Sequence, residues 1–247
     1  MSNTLTWDQM QDLMWPATWE TLQMVGVASV ATVILGLPVG LLLVLTDRGG
    51  QLENLALNRV VGAVVNIGRS LPFIILIVAL ASFTKLIAGT SIGWQAATVP
   101  LTVGAIPFFA RLVETSVREV DPGLVEAVQS MGGSTLTTVR KVLLPEALPA
   151  LVASAVTTVI ALIGFSAMAG VVGGGGLGDL AYRYGYLRFQ TTFMWVIVAE
   201  LVVIVTVLQL IGDRIARRLS HRGGYRSPLG SLFGRSGTPS DDEPVAS

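Results

Sequence analysis

Two ionisable side chains, Arg69 and Glu200, lie inside long apolar stretches, and a further carboxylate, Glu126, lies in a polar island between two of them. A charge at mid-membrane costs about 2.5–3.5 kcal/mol on insertion scales, so Arg69 should be paired or face water. Asn66 sits one helical turn before it on the same face. Glu200 has three readings: a partner for Arg69, a protonated carboxyl turned into a helix bundle, or a group placed shallower than hydropathy suggests. Two such groups are too few for a proton relay, which argues against an ion-coupled secondary transporter. Other chemistries lack their residues. There is no cysteine, the single histidine is His221 in a basic tail, and no nucleophile–base pair or metal-ligand cluster stands in or near the apolar stretches. No Gly-x-x-x-x-Gly-Lys-Ser/Thr segment exists to cradle ATP phosphates. A formal Gly-x-Gly-x-x-Gly match at Gly173, Gly175 and Gly178 follows an apolar span and has no βαβ unit around it, so it reads as a flexible exit from that span. The sharper alternative for this run is a hinge or close-approach point.

The elements that carry these residues are membrane spans. Hydrophobic residues make up 52%, charged residues 13%, and mean hydropathy is +0.68, against about 25% charged in an average soluble domain. Stretches long enough to cross a bilayer, about 20 residues each, run over 21–45, 60–83, 91–110, 148–172 and 193–212, the second interrupted by Arg69. The segment before the first span holds Asp8, Asp12 and Glu20 and no basic residue, unlike a cleaved signal peptide. It is expected to face outward. Alternate loops then hold Arg48 and Arg59; Arg111, Arg118, Arg140 and Lys141; and a tail beginning with Arg214, Arg217 and Arg218, whereas Lys85, Arg183 and Arg188 fall on the other side. Basic residues concentrate on the cytoplasmic side. The chain therefore reads as an all-α integral membrane protein of five transmembrane helices, N-terminus outside and C-terminus inside. Residues 1–17 form a short periplasmic segment, 18–213 the membrane domain, and 214–247 a tail that is basic and then disordered.

The polar island falls in the cytoplasm. Asp121 is a good N-cap and Pro122 suits the first helical position, so a helix is expected there. Leu124, Val125, Val128 and Met131 recur on one face while Glu126 and Gln129 point elsewhere. Gly132 and Gly133 allow the helix to end, Ser134 caps a second helix with Leu136, Val139 and Leu143 on its apolar face, and Pro145 opens the next span. A short helix held at both ends by membrane helices can seat an exposed face in a groove of a soluble protein and transmit a push. The plainer alternative is an ordinary interfacial hairpin.

In the fourth span Ala147, Ala150, Ser154, Thr157, Ala161 and Gly164 recur at alternating steps of three and four, a seam of about 26 Å at about 1.5 Å per residue. Small residues permit close helix packing in lipid. Either the stripe packs within the subunit, or it, with the face beside it ending at Ser166 and Met168, lines a central path between two subunits. Gly36, Pro38 and Gly40 in the first span and Pro100, Gly104 and Pro107 in the third mark kink points, static curvature being preferred to moving parts.

Glu126-Ala127-Val128, Gly132 and Val142-x-Leu144-Pro145 resemble the cytoplasmic "EAA" loop by which permease subunits of bacterial ABC importers dock onto their ATPase. The family pattern is Glu-Ala-Ala, three residues, Gly, nine residues, Ile-x-Leu-Pro, from which this chain departs at Val128 and Val142. The similarity extends to methionine permeases over about 19–214. It includes Trp19-Glu20-Thr21, Asn66-Ile67-x-Arg69-Ser70-x-Pro72-Phe73, Gly89-Thr90-Ser91-Ile92-Gly93, Arg140-Lys141-Val142-Leu143-Leu144-Pro145-Glu146 and Tyr184-Gly185-Tyr186. The resemblance implies the type I importer permease fold in a bacterial inner membrane and a loop over about 121–145 that couples to an ATPase. It implies as partners a second copy of the chain, two ABC ATPase subunits that bind ATP and Mg, an external methionine-binding lipoprotein and the lipid bilayer, with no nucleic acid, and no cofactor or metal in this chain. It places Arg69 in a path-facing or subunit-interface role and implies methionine, L and possibly D, as cargo. Another small amino acid is the alternative. Arg69, Ser154, Thr157, Ala161, Gly164, Ser166 and Met168 are the candidate path or gate residues.

Overall fold

The computed structural model describes residues 6–220, which are helical throughout apart from turns. The first five residues and everything beyond Ser220, including His221 and the expected disordered tail, lie outside the described residues. The helices are α1 (Trp7–Leu45), α2 (Leu55–Ser70), α3 (Phe73–Ala79), α4 (Ala81–Ala88), α5 (Trp94–Arg118), α6 (Pro122–Ser130), α7 (Thr135–Thr138), α8 (Leu144–Ala169), α9 (Gly176–Leu180) and α10 (Thr191–Ser220). Wider π turns occupy Val139–Leu143, Gly170–Gly174 and Ala181–Tyr186.

Four of the expected spans are continuous helices, carried by α1, α5, α8 and α10. The second is not: α2 and α3 meet at a 104° bend. Pro72 explains the break, because it lacks an N–H and drives the preceding residue to extended backbone; Leu71 has ψ of 127°. α1 begins well before the apolar run at Thr21. Hydropathy registers only the part of a helix that must sit in hydrocarbon, whereas 39 helical residues rise about 58 Å, more than the ~30 Å core requires. Its first turns are therefore a helical extension, in which Met10 and Ala17 pack on Leu177, Leu180, Phe193 and Ile197.

α5 is the central helix, packed by α1, α2 and α8. The glycines and prolines of α1 and α5 do not end either helix. Gly40 serves instead as a contact: a Cβ there would lie 2.6 Å from the carbonyl oxygen of Ala110, so α5 approaches the α1 backbone directly. Met24, Val25, Leu101, Ala105 and Leu162 fill the middle of the bundle, with Phe73 stacked on Phe165 at 4.7 Å. Phe109, Val113, Val117, Leu143, Ala147 and Leu151 form a second core at the end carrying α6. Trp195, Val202, Val203, Val207, Leu210 and Ile211 on α10 are exposed, as a helix turned toward lipid or another subunit requires.

Candidate functional site

The turn at 46–54 and the segment 119–143 occupy one end of the bundle, where Gln51 Nε2 donates to Thr138 Oγ1 at 2.9 Å. The segments 89–93 and 173–175 meet at the opposite end, where the Gly93 N–H donates to the Gly173 carbonyl at 2.9 Å. The distribution of Arg and Lys makes the first end cytoplasmic.

At that end the chain builds the expected helix. Asp121 Oδ1 accepts the Gly123 N–H at 2.8 Å, Pro122 occupies the first turn, and Gly132 ends the helix with φ of +77°. Only part of the anticipated apolar face turns inward. Val125 packs on the inner core and Val128 is half-buried, but Leu124 is 42% and Met131 79% exposed. Glu126 and Ala127 stand between them, also exposed. The result is a mixed surface, one carboxylate flanked by a small residue and two apolar side chains, projecting from the membrane domain. Leu136, expected on the apolar face of the second helix, is likewise exposed at 59%.

The second helix differs from expectation in extent. Ser134 Oγ accepts the Thr137 N–H at 3.3 Å, but α7 runs without interruption through the π turn into α8. Pro145 has no N–H to offer the preceding turn, and the wider turn accommodates this: the Leu144 N–H donates to the Val139 carbonyl. Val142 and Leu144 are half-buried against the inner core, and Leu143 between them is 6% exposed. Val142, Leu143 and Leu144 thus anchor the loop, while Glu126 and Ala127 present it and Pro145 is exposed.

The small-residue stripe of α8 divides. Ala147 is buried and Ser154 Oγ lies 3.2 Å from Ser116 Oγ of α5, so the inner half packs within the subunit. Thr157 is exposed, Ala161 half-buried, and a Cβ at Gly164 would meet nothing within 4 Å. The physical reason is drift: steps averaging 3.4 residues against about 3.6 per turn carry the stripe around the helix by about 20° per step. Ser166, 2% exposed and bonded to the Ile163 carbonyl at 2.7 Å, belongs to the core, whereas Met168 is 49% exposed. The outward set is therefore Thr157, Gly164 and Met168.

Arg69 and Glu200 do not pair. Arg69 is exposed in the last turn of α2, beside the break. Glu200 accepts a hydrogen bond from Thr18 of α1, its other oxygen being enclosed without a partner. The glycine run after α8 is a tightly packed crossing, not a loose exit. A Cβ at Gly178 would lie 2.3 Å from the Ala167 carbonyl oxygen. At Gly176, where φ is +73°, Glu20 Oε2 accepts the backbone N–H at 2.8 Å, and Thr21 Oγ1 accepts that of Leu177 at 2.9 Å. α1 thereby satisfies N–H groups that the start of α9 leaves open.

Sequence reasoning missed an ion-pair chain at the cytoplasmic end. Arg118 bridges Asp47, at 2.6 Å, and Glu114, at 2.8 Å, and Arg111 meets the other Glu114 oxygen at 2.6 Å. Glu114 is only 5% exposed. The Arg118 guanidinium, with help from the Arg48 backbone N–H, holds the Asp47 carboxyl below the usual carboxylate range. Arg111, Glu114 and Arg118 follow i,i+3 and i,i+4 spacing, a signal legible in sequence; the partner from the 46–54 turn carries none.

Residues 36–223 match the family described as the inner membrane component of binding-protein-dependent transport systems. The chain is 56% identical over 211 residues to a probable D-methionine transport system permease protein of Vibrio cholerae, covering 85% of this chain and 94% of that one. It is 46% identical over 209 residues to the methionine import system permease protein of Bacillus subtilis, with the same coverages of 85% and 94%. In structure it resembles a chain of the inward-facing MetNI methionine ABC transporter, with a TM-score of 0.85 and 50% identity over 87% of this chain and 99% of that one. This all-helical, multi-pass chain belongs to the family of inner membrane components of binding-protein-dependent transport systems.

Proposed function

We propose that the chain is the methionine permease subunit of an ATP-binding-cassette importer. Two copies enclose the path, two separate ATPase subunits that bind ATP and Mg dock from the cytoplasm, and an external methionine-binding protein delivers the cargo. The observation that carries this reading is the surface of α6. Glu126 and Ala127 are exposed between Leu124 and Met131 while Val125 and the Val142–Leu144 segment fix the helix to the core. An apolar surface at the cytoplasmic face, outside the lipid, favours a protein partner. Because α6 is tied to α5 on one side and runs through α7 into α8 on the other, displacement of α6 by the ATPase moves both helices. Thr157, Gly164 and Met168, exposed on α8, line the path or its border with the second copy, and Arg69 faces water or that copy at the break between α2 and α3. Methionine as cargo is supported by the similarity to methionine permeases over nearly their whole lengths.

Reconstituted vesicles test the proposal. Uptake of methionine should require ATP on the α6 side and the binding protein on the other, and should survive an uncoupler. Uptake driven by a proton gradient without ATP would contradict it.

A further inference from the structure

Between α1 and α2 lies a turn that the coupling scheme above does not use. It is closed on itself by backbone bonds: the Leu52 N–H donates to the Leu45 carbonyl at 3.0 Å and the Asn54 N–H to the Thr46 carbonyl at 3.0 Å. Asn58 Nδ2 donates to the Leu43 carbonyl at 2.7 Å, fastening the start of α2 to the end of α1. The turn is thus a rigid continuation of α1.

Two of its side chains, Asp47 and Gln51, reach the two limbs that lead into and out of α6. Asp47 binds Arg118, the last residue of α5 and four positions before the start of α6, at 2.6 Å, and Arg118 is itself held by the buried Glu114. Gln51 reaches the limb that leaves α6, donating to Thr138, which is wholly buried. The Gln51 side-chain amide oxygen is enclosed without a partner, so the Nε2–Thr138 bond is the polar tie that the side chain makes there. The turn adds polar ties near the loop to the direct packing of α5 against α8 and of α1 against both. With it, both limbs and the end of α1 are cross-braced.

We propose that the 46–54 turn is a strut for coupling, with Asp47 and Gln51 as positioning residues that make α1 and both limbs of the α6 loop move as one body. The proposal rests on the reading of the chain as an ATP-driven permease. Motion delivered at α6 then reaches α1, and through the Glu20 and Thr21 contacts to α9 the outer end of the bundle, instead of being absorbed by flexing of the loop.

The test uses the assembled complex of permease, ATPase and binding protein in vesicles, measuring methionine uptake and phosphate release in the same sample. The double variant Asp47→Ala, Gln51→Ala should retain ATP hydrolysis while uptake per ATP falls about fivefold or more, the lower end of typical coupling between sites. Unchanged uptake per ATP would overturn the strut. A loss of stability alone does not mimic this outcome, since it lowers both rates together. Because the chain contains no cysteine, Gln51→Cys with Thr138→Cys offers a second measurement that holds even where the alanine variant fails to assemble. Bridging the two thiols with a short cross-linker should raise uptake per ATP toward the wild-type value. Bridging that abolishes uptake would show that turn and limb separate during the cycle and would overturn the proposal. Failure of the parent reading is distinguishable, because the unmodified complex would then show no ATP-dependent uptake.

Discussion

Glu20 Oε2 accepts the backbone N–H of Gly176 at 2.8 Å, joining residues 156 apart in sequence where α1 passes the start of α9. The arrangement satisfies a buried donor with a side chain from another helix and fixes the glycine in left-handed backbone.

Gly176→Ala should therefore be more damaging than the same change at Gly132. Both residues have φ near +75°, at +73° and +77°, and share a conformational penalty of about 1–2 kcal/mol for an L side chain. A Cβ at Gly176 would in addition lie 2.5 Å from Thr21 Oγ1, whereas at Gly132 it meets open space. Thermal unfolding of the detergent-solubilised permease should show the larger drop for Gly176→Ala. Equal drops would mean that the α1–α9 contact yields without cost.

The exposed and anchored faces of α6 should separate in experiment. Leu124→Ala with Met131→Ala should change stability by no more than about 0.5 kcal/mol per site, as for exposed positions generally, yet reduce the ATPase recovered with the permease. Val125→Ala should do the reverse, lowering the unfolding midpoint through its contact with the inner core while leaving the presented surface intact. Copurification stoichiometry and thermal melts on the same preparations distinguish the two.

Gly164→Leu should be tolerated by the single chain, because nothing lies within 4 Å of the added Cβ, but should block uptake where the second copy or the path occupies that space. ATPase association should persist. Normal uptake by this variant would move the path away from α8.

Acidification should release the clamp at Asp47. Its folded-state pKa lies below the ordinary value of about 3.9. The stabilisation it contributes is consequently complete above about pH 4 and is lost as pH falls through the lowered value. The difference in unfolding midpoint between the wild type and Asp47→Asn should be present at neutral pH and vanish in strong acid. A difference that persisted there would mean that Asn at 47 perturbs the turn by some other route.

Local chemistry was legible in the sequence; distant pairing was not. Asp121, Pro122, Gly132 and Ser134 act where their backbone preferences place them, because capping and helix termination depend on neighbours within a few positions. Hydropathy marks four continuous spans, whereas the second apolar stretch is a pair of helices bent by 104°, a break that Pro72 signals in the sequence. The α8 stripe serves packing within the subunit at Ala147 and Ser154 and turns outward farther on, since a seam with a period of about 3.4 does not stay on one face of a helix with a period of about 3.6. Of the three readings that the sequence leaves open for Glu200, the pairing with Arg69 does not occur; the carboxylate turns into the bundle toward Thr18 instead, and a hydroxyl on another helix leaves no pattern in sequence. The Gln51–Thr138 and Glu20–Gly176 contacts are invisible for the same reason.

The most direct measurement places a single cysteine at Glu126 in this otherwise cysteine-free chain and asks what it touches. An impermeant thiol reagent should label it only from the cytoplasmic side, and a short cross-linker should join it to the ATPase with a yield that changes when ATP is bound. Labelling from the periplasmic side, or cross-linking that never captures a nucleotide-hydrolysing partner, would contradict the account.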